Sequence, residues 1–466
     1  MKSTARCQWR RELFWAAVIA VAILTGCFGE RSRPTVTVFG DLFVDSDPAG
    51  AEVFVDGRST QELTPVVLAG VPVGRHDLDL IFSPGPAEFF GFSDTVTVNE
   101  ELLDSVVVAL EGGCSSNCPF LMDEGRFNCR STGNGDTCAS VFFDGVPALE
   151  WPAGSGTDYG AGGRLLLAGV LGDDAGAQAG DTVATQIYDV AWIGRRPMSR
   201  TTVGKRQVME LEYWGTSRYR SESLQGLLVK QTLVAIDSTE VEDVLFIQFE
   251  IENISDNPRY RRIYPWVPEG GYTLESLYVG FGLDADIGGS EQDLGTFDPA
   301  LNLSFIYDAF FQDEQLGAFA ERPALVGLVT VEPPSGAGGR TLTLWRRSDD
   351  WDDGDRHAFA WRLLAGRLAA GDPIADHPSA EIGFVSATPN DYRAIEAYGP
   401  LQLAPGDKVV MTVALILAEP VADSYTPGVL VSPGDPEDPN RAILTVAGGL
   451  RARAAALPSL WDRYRP

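Results

Sequence analysis

Apolar residues in this chain recur at every second position, in short runs closed by glycine and proline. Ile247, Phe249 and Ile251 take one side of such a run, and Gln248, Glu250 and Glu252 take the other. Leu342 and Leu344 alternate in the same way with Thr341 and Thr343. A period of two sends successive side chains to opposite faces, so each run builds a half-buried β-strand. Residues 409–417 are apolar almost throughout, which predicts a strand covered on both faces, fed by the turn Ala404-Pro405-Gly406-Asp407. Residues 332–339 form a Pro/Gly loop. Fifty Gly and 29 Pro suit many short strands and turns, and a 44% hydrophobic fraction with 23 Phe in 466 residues excludes a disordered chain. The expected fold class is all-β: a small antiparallel β-sandwich, then a large β-sandwich domain, then one short C-terminal helix. In that helix Ile443, Val446, Leu450 and Leu457 make a stripe behind a cap at Asp438-Pro439-Asn440, weakened by Gly448-Gly449.

The first residues carry an address. Lys2, Arg6, Arg10 and Arg11 precede an apolar run of 12 residues (13–24), which ends in Leu24-Thr25-Gly26-Cys27. A basic start, a short apolar core and small residues before a cut read as a secretory signal peptide over residues 1–26; that core is too short to span a bilayer as a helix. The segment resembles the lipobox of bacterial lipoproteins. The resemblance implies cleavage before Cys27, diacylation of its thiol and acylation of the new amine. One acyl chain holds a protein only marginally, at about 0.8 kcal/mol per buried methylene, whereas two or three anchor it stably. The alternative is an ordinary cleavable signal in which Cys27 is incidental. Phe28 stands where an Asp would be read as inner-membrane retention, so the expected location is the outer membrane of the cell envelope, on its periplasmic face or at the cell surface. Residues 27–37 are a tether.

The formal charge is −29; Lys2, Arg6, Arg10 and Arg11 against Glu12 carry +3, so cleavage would leave −32. A surface of that sign repels phosphate backbones, and no nucleic-acid partner is expected. The expected partners are the membrane, through the lipid at Cys27, and an envelope protein or glycan. Of six cysteines, Cys7 leaves with the signal. Cys114, Cys118, Cys129 and Cys138 crowd into a connector over residues 111–139. In an oxidising compartment such a local, even set predicts two disulfides with three possible connectivities; the spacing fits no four-cysteine zinc motif.

Residues 38–110 form a compact β module. Val53 and Val55 alternate with Glu52 and Phe54 before the turn Asp56-Gly57, Val96 and Val98 alternate with Thr95 and Thr97, and Val106-Val107-Val108 closes it. Val44-Asp45-Ser46-Asp47-Pro48-Ala49-Gly50-Ala51, Val53-Phe54-Val55-Asp56-Gly57, Thr64-Pro65, Leu68, Gly70-Val71-Pro72 and Gly74-Arg75-His76 occur in an order that resembles a PEGA domain. Ala stands for the acidic residue of the name-giving tetrapeptide, and residues 82–92 read as a longer aromatic loop. The resemblance implies a small antiparallel β-sandwich of envelope proteins with a structural or binding role and no catalysis, and His76 as a turn or strand-edge residue.

Residues 140–466 are the large β-rich domain with its C-terminal helix. Glu275-Ser276-Leu277-Tyr278-Val279-Gly280, leading to Asp284-Ala285-Asp286-Ile287-Gly288, and Tyr398-Gly399-Pro400-Leu401-Gln402-Leu403-Ala404-Pro405-Gly406-Asp407 resemble the large β domains of secreted surface proteins from environmental Gram-negative bacteria.

The best chemical constellation is Asp284-x-Asp286-x-Gly288 followed by Glu291, Asp293 and Asp298. Hard cations such as calcium need six to eight oxygens, and carboxylates two apart on a glycine-bearing loop can converge on one ion. Asp284, Asp286, Asp293 and Asp298 are therefore candidate metal ligands, with calcium as the candidate cofactor; a solvated acidic turn is the plain alternative. Asp349-Asp350-Trp351-Asp352-Asp353-Gly354-Asp355 reads as a wet hairpin tip; the alternative is a second cation loop with Trp351 packed beneath it. Trp151, Trp192, Trp214, Trp266, Trp345 and Trp361 could stack on sugars but are expected in the core.

No catalytic residues are expected. His357 and His377 have no nucleophile motif nearby, and the chain lacks Gly-x-Ser-x-Gly, His-Glu-x-x-His, a phosphate loop and Gly-x-Gly-x-x-Gly after a strand. With 65 acidic residues, a carboxylate pair for glycoside hydrolysis can be drawn anywhere and carries no weight. The expectation is a non-catalytic envelope lipoprotein with a structural or binding role. The alternatives are a calcium-dependent glycan-binding surface lipoprotein and a polysaccharide-acting hydrolase.

Overall fold

The computed structural model describes residues 38–466 apart from 48, 57, 86–87, 100–102, 110, 113–118, 133–134, 140–145, 161, 185–191, 195–198, 216–225, 258–266, 347–355, 368–388 and 430–440. Its strands, in chain order, begin with β1 (Phe39–Asp47), β2 (Glu52–Val55), β3 (Arg58–Leu63), β4 (Val66–Pro72), β5 (Gly74–Gly85), β6 (Glu88–Val98), β7 (Leu103–Ala109) and β8 (Glu111–Gly112). Then come β9 (Pro119–Met122), β10 (Asn128–Thr132), β11 (Leu149–Glu150), β12 (Gly162–Leu171), β13 (Thr182–Ala184), β14 (Trp192–Gly194), β15 (Ser199–Val203), β16 (Arg206–Gly215), β17 (Leu227–Ile236) and β18 (Val244–Asn253). The last are β19 (Leu274–Asp284), β20 (Asp293–Asp298), β21 (Leu303–Asp308), β22 (Leu325–Glu332), β23 (Gly339–Arg346), β24 (Tyr392–Leu403) and β25 (Lys408–Ala418). Among the described residues three α-helices accompany them: α1 (Arg356–Leu364), α2 (Arg441–Val446) and α3 (Gly448–Tyr464). The protein is all-β with a helical C-terminus.

The chain divides into two compact units. The first takes residues up to Val44, Val67–His76 and Thr95–Val106. Within it, Gly70 N–H donates to Asp41 Oδ1 at 3.0 Å and Val73 N–H to the Val38 carbonyl at 2.8 Å. The buried ring of His76 reaches the Pro72 carbonyl through Nε2 at 2.6 Å, which agrees with a strand residue tied to backbone.

The second unit takes Asp45–Val66, Asp77–Asp94 and Val107–Pro466. Thr64 fastens the turn at Gly50 through its hydroxyl. Its Oγ1 accepts the N–H groups of Gly50 (3.1 Å) and Ala51 (3.0 Å) and lies 2.5 Å from Ser46 Oγ, while Gly50 takes φ 93°, where a side chain would be strained. Residues 82–85 and 88–92 are not the loop expected from sequence: they belong to β5 and β6, and β6 pairs onward with β8. The aromatics Phe89, Phe90 and Phe92 favour the extended backbone, and Pro84 falls at the end of β5.

Most strands of this unit belong to two antiparallel sheets. The longer runs β20-β21-β22-β25-β18-β17-β16-β14-β8-β6-β5-β2-β3, with β15 also on β16. The shorter runs β13-β12-β19-β24-β23. The apolar strand β25 lies between β22 and β18, registering Met411 against Phe249 and Val409 against Ile251, and it is buried as predicted. Phe249 of the long sheet meets Phe281 of the short sheet at 5.8 Å between ring centroids, so the two inner faces share one core. The outer face of the short sheet is covered by α1, whose Phe359, Ala360, Leu363 and Leu364 pack on Leu166, Tyr278 and Ile395. That helix is absent from the sequence-based reading.

The C-terminal stripe Ile443, Val446, Leu450 and Leu457 is buried as expected. The single helix is instead two segments broken at Ala447, where Gly448-Gly449 follows. Trp461 of α3 packs on Phe246 at 5.2 Å. The cysteine connector is less loop-like than expected: β9, β10 and β11 form a sheet, and Met122, Phe127 and Cys129 join the main core.

Candidate functional site

Strand β19 ends in Asp284, which registers directly opposite Arg393 of β24. Arg393 Nη2 binds Asp284 Oδ2 at 2.8 Å, and its Nη1 lies 3.5 Å from Asp391 Oδ1, two residues back along the same chain. Asp286 follows two residues beyond Asp284. One carboxylate oxygen from each of Asp284, Asp286 and Asp391 lies within 4.8 Å of the others. This convergence arises from strand register, because residues two apart share a face and β19 pairs with β24.

Asp293 opens β20 beneath this group and is fully buried. Its Oδ2 accepts the Ile287 N–H at 3.3 Å, its main-chain carbonyl accepts the Asn390 N–H at 3.0 Å, and its Oδ1 has no hydrogen-bond partner among the described residues. Burial pushes its carboxyl well above the usual carboxylate range, with repulsion from Asp286, Asp308 and Asp391 adding to the rise. Asp284 is also raised, again mainly by burial, against the opposing pull of Arg393. The loop between them turns at Gly288, with φ 74°; a Cβ there would run into the Asp313 carboxylate, which accepts the Gly289 N–H at 2.6 Å.

Of the residues singled out from sequence, Asp284 and Asp286 come together and Asp293 borders them. Asp298 does not join. It closes β20, and five residue steps of extended chain carry it roughly 16 Å from Asp293. There it binds Arg451 Nε at 2.7 Å and caps the next turn through the Ala300 N–H at 3.2 Å. Asp391 was missed; only the pairing of β24 with β19 reveals it.

Cys129 bonds to Cys138, with Cα atoms 4.7 Å apart. Cys27, Cys114, Cys118, His377, Trp266 and the acidic run 349–355 lie outside the described residues. Trp151 is core, as expected, and the half-buried Trp361 donates Nε1–H to the Ser276 carbonyl at 3.0 Å. Among the described residues no helix is long and apolar enough to cross a membrane.

A second buried carboxylate sits between the two sheets. Glu396 of β24 accepts Ser304 Oγ–H at 2.9 Å and Thr330 Oγ1–H at 2.6 Å, and burial raises its carboxyl to about 7.

Residues 39–106 match the PEGA domain, the family resembled by the motifs quoted above. That match points to a surface or envelope protein. No curated protein matches the chain. Among solved structures, an Escherichia coli K12 protein described as an aldose 1-epimerase is 10% identical at a TM-score of 0.30, covering 65% of this chain and 99% of its own. Lysyl oxidase of Pichia pastoris is 10% identical at a TM-score of 0.26, covering 85% of this chain and 71% of its own. At such TM-scores neither likeness bears on fold or function.

Proposed function

We propose that the protein is a non-catalytic lipoprotein of the bacterial cell envelope, held in the outer membrane by acyl chains on Cys27 and serving a structural or binding role. The observation that carries this reading is the PEGA match at residues 39–106, a short tether after the lipobox-like Leu24-Thr25-Gly26-Cys27. Supporting it, acylation at Cys27 needs no membrane-crossing helix, and Phe28 carries no retention carboxylate. The buried acids Glu396 and Asp243 are engaged by hydroxyls, an indole and guanidiniums inside the fold, an arrangement suited to holding structure.

Separating inner and outer membranes on a density gradient tests the reading. The full chain belongs in the outer-membrane band, and Cys27→Ser belongs outside it. The purified protein should release no sugars from envelope or plant polysaccharides. A chain that sediments with the inner membrane, or that cleaves such a polymer, would remove the proposal.

A further inference from the structure

We infer that Asp284, Asp286, Asp391 and Asp293 bind one calcium ion where β19 ends. This goes beyond the envelope role proposed above and does not depend on membrane anchoring. Three of the four supply oxygens within 4.8 Å of one another. Two ligands on opposite sides of an ion at about 2.4 Å, inside calcium's range, stand about 4.8 Å apart. Magnesium, at about 2.1 Å in a strict octahedron, would require a tighter cage. The donors are all carboxylates, without imidazole or thiolate, which selects a hard cation over zinc or copper.

Asp293 is the independent observation. It is fully buried, and its Oδ1 has no hydrogen-bond partner among the described residues. Its other oxygen takes the N–H of Ile287, the residue after Asp286, so the carboxyl is fixed against the group. Asp284 likewise keeps Oδ1 buried without a hydrogen bond, while its Oδ2 is held by Arg393. A buried carboxylate oxygen without a donor is costly, and a cation relieves that cost. Two guanidiniums face the group of four carboxylates: Arg393 binds Asp284 and lies 3.5 Å from Asp391, and Arg164 of β12, paired with Asp136 at 3.4 Å, also draws on Asp284. A divalent ion offsets most of the excess. Because Arg393 already takes part of the field, affinity falls in the range of extracellular modules, Kd about 10⁻⁴–10⁻³ M.

The test is calorimetric titration of the full chain in detergent, stripped with chelator, using calcium chloride and then magnesium chloride. One saturable calcium site is expected, with a rise in Tm of about 2 °C at ten-fold excess. Asp286→Asn and Asp391→Asn should each weaken binding at least about ten-fold, and Asp298→Asn should leave it intact. Terbium emission excited through the protein's aromatic residues, and its displacement by calcium, reads the same site in the unaltered chain if a variant fails to fold. No heat up to about 10 mM calcium together with no calcium-sensitive terbium signal would overturn the assignment. So would unchanged affinity in Asp286→Asn and Asp391→Asn chains that still melt cooperatively.

Discussion

Trp151 Nε1–H donates to Asp243 Oδ1 at 2.7 Å, joining the residue that follows β11 to the turn that opens β18. The other oxygen of Asp243 pairs with Arg453 of α3 at 2.5 Å and with Arg126 at 3.5 Å, and the Arg126 guanidinium lies 5.2 Å above the Trp151 ring. One buried carboxylate therefore ties β9–β11, the long sheet and the C-terminal helix together. Asp243→Ala should cost about 3 kcal/mol, the low end for breaking a buried pair because both guanidiniums reach solvent. Trp151→Phe should cost about 1 kcal/mol through loss of its hydrogen bond. Urea titrations of the two variants check both values.

Glu396 predicts a pH dependence of stability. Its carboxyl ordinarily titrates at 4.5, and inside the fold burial raises it to about 7. Between these values the folded chain keeps a proton that the unfolded chain releases. Stability is thus fully present below about 4.5 and declines as pH rises toward about 7. The shift amounts to about 3 kcal/mol. Asp308, raised mainly by burial to about 6, acts with the same sign over a lower window. Glu396→Gln keeps partners for Ser304 and Thr330 but cannot ionise, so its stability relative to the native chain should grow across that interval. Thermal melts at pH 4.5 and pH 8 read the difference; an equal offset at both would refute it.

The Cys129–Cys138 bridge spans nine residues of chain. Closing so short a loop restricts the unfolded chain by about 2–3 kcal/mol. Cys129→Ala with Cys138→Ala should lower stability by that amount, and reductant should no longer shift the melting point of this pair's region. Comparing melts with and without reductant checks it.

Alternation made much of the β architecture legible: Ile247, Phe249 and Ile251 face the core, and the apolar run of β25 lies inside a sheet. What the spacing could not convey was partnership between distant segments. Asp391 joins Asp284 only because β24 registers with β19, whereas Asp298, closer in sequence, is carried away along β20. Glu396 stood out in no sequence motif, and only the structure shows it pointing into the core while Ile395 and Ala397 face α1. Helix α1 escaped notice because its nine residues, beside an acidic run, are too few to display a helical period. The adjacent strands β5 and β6 were hidden by prolines that read as loop punctuation.

Acylation of Cys27 is the most direct test of the envelope account. Cells expressing the full chain, or Cys27→Ser, would be grown with radiolabelled palmitate and the protein recovered by immunoprecipitation. The account predicts label on the native chain, which stays with membranes after a carbonate wash, and no label on Cys27→Ser. An unlabelled native chain recovered in the soluble fraction would contradict it.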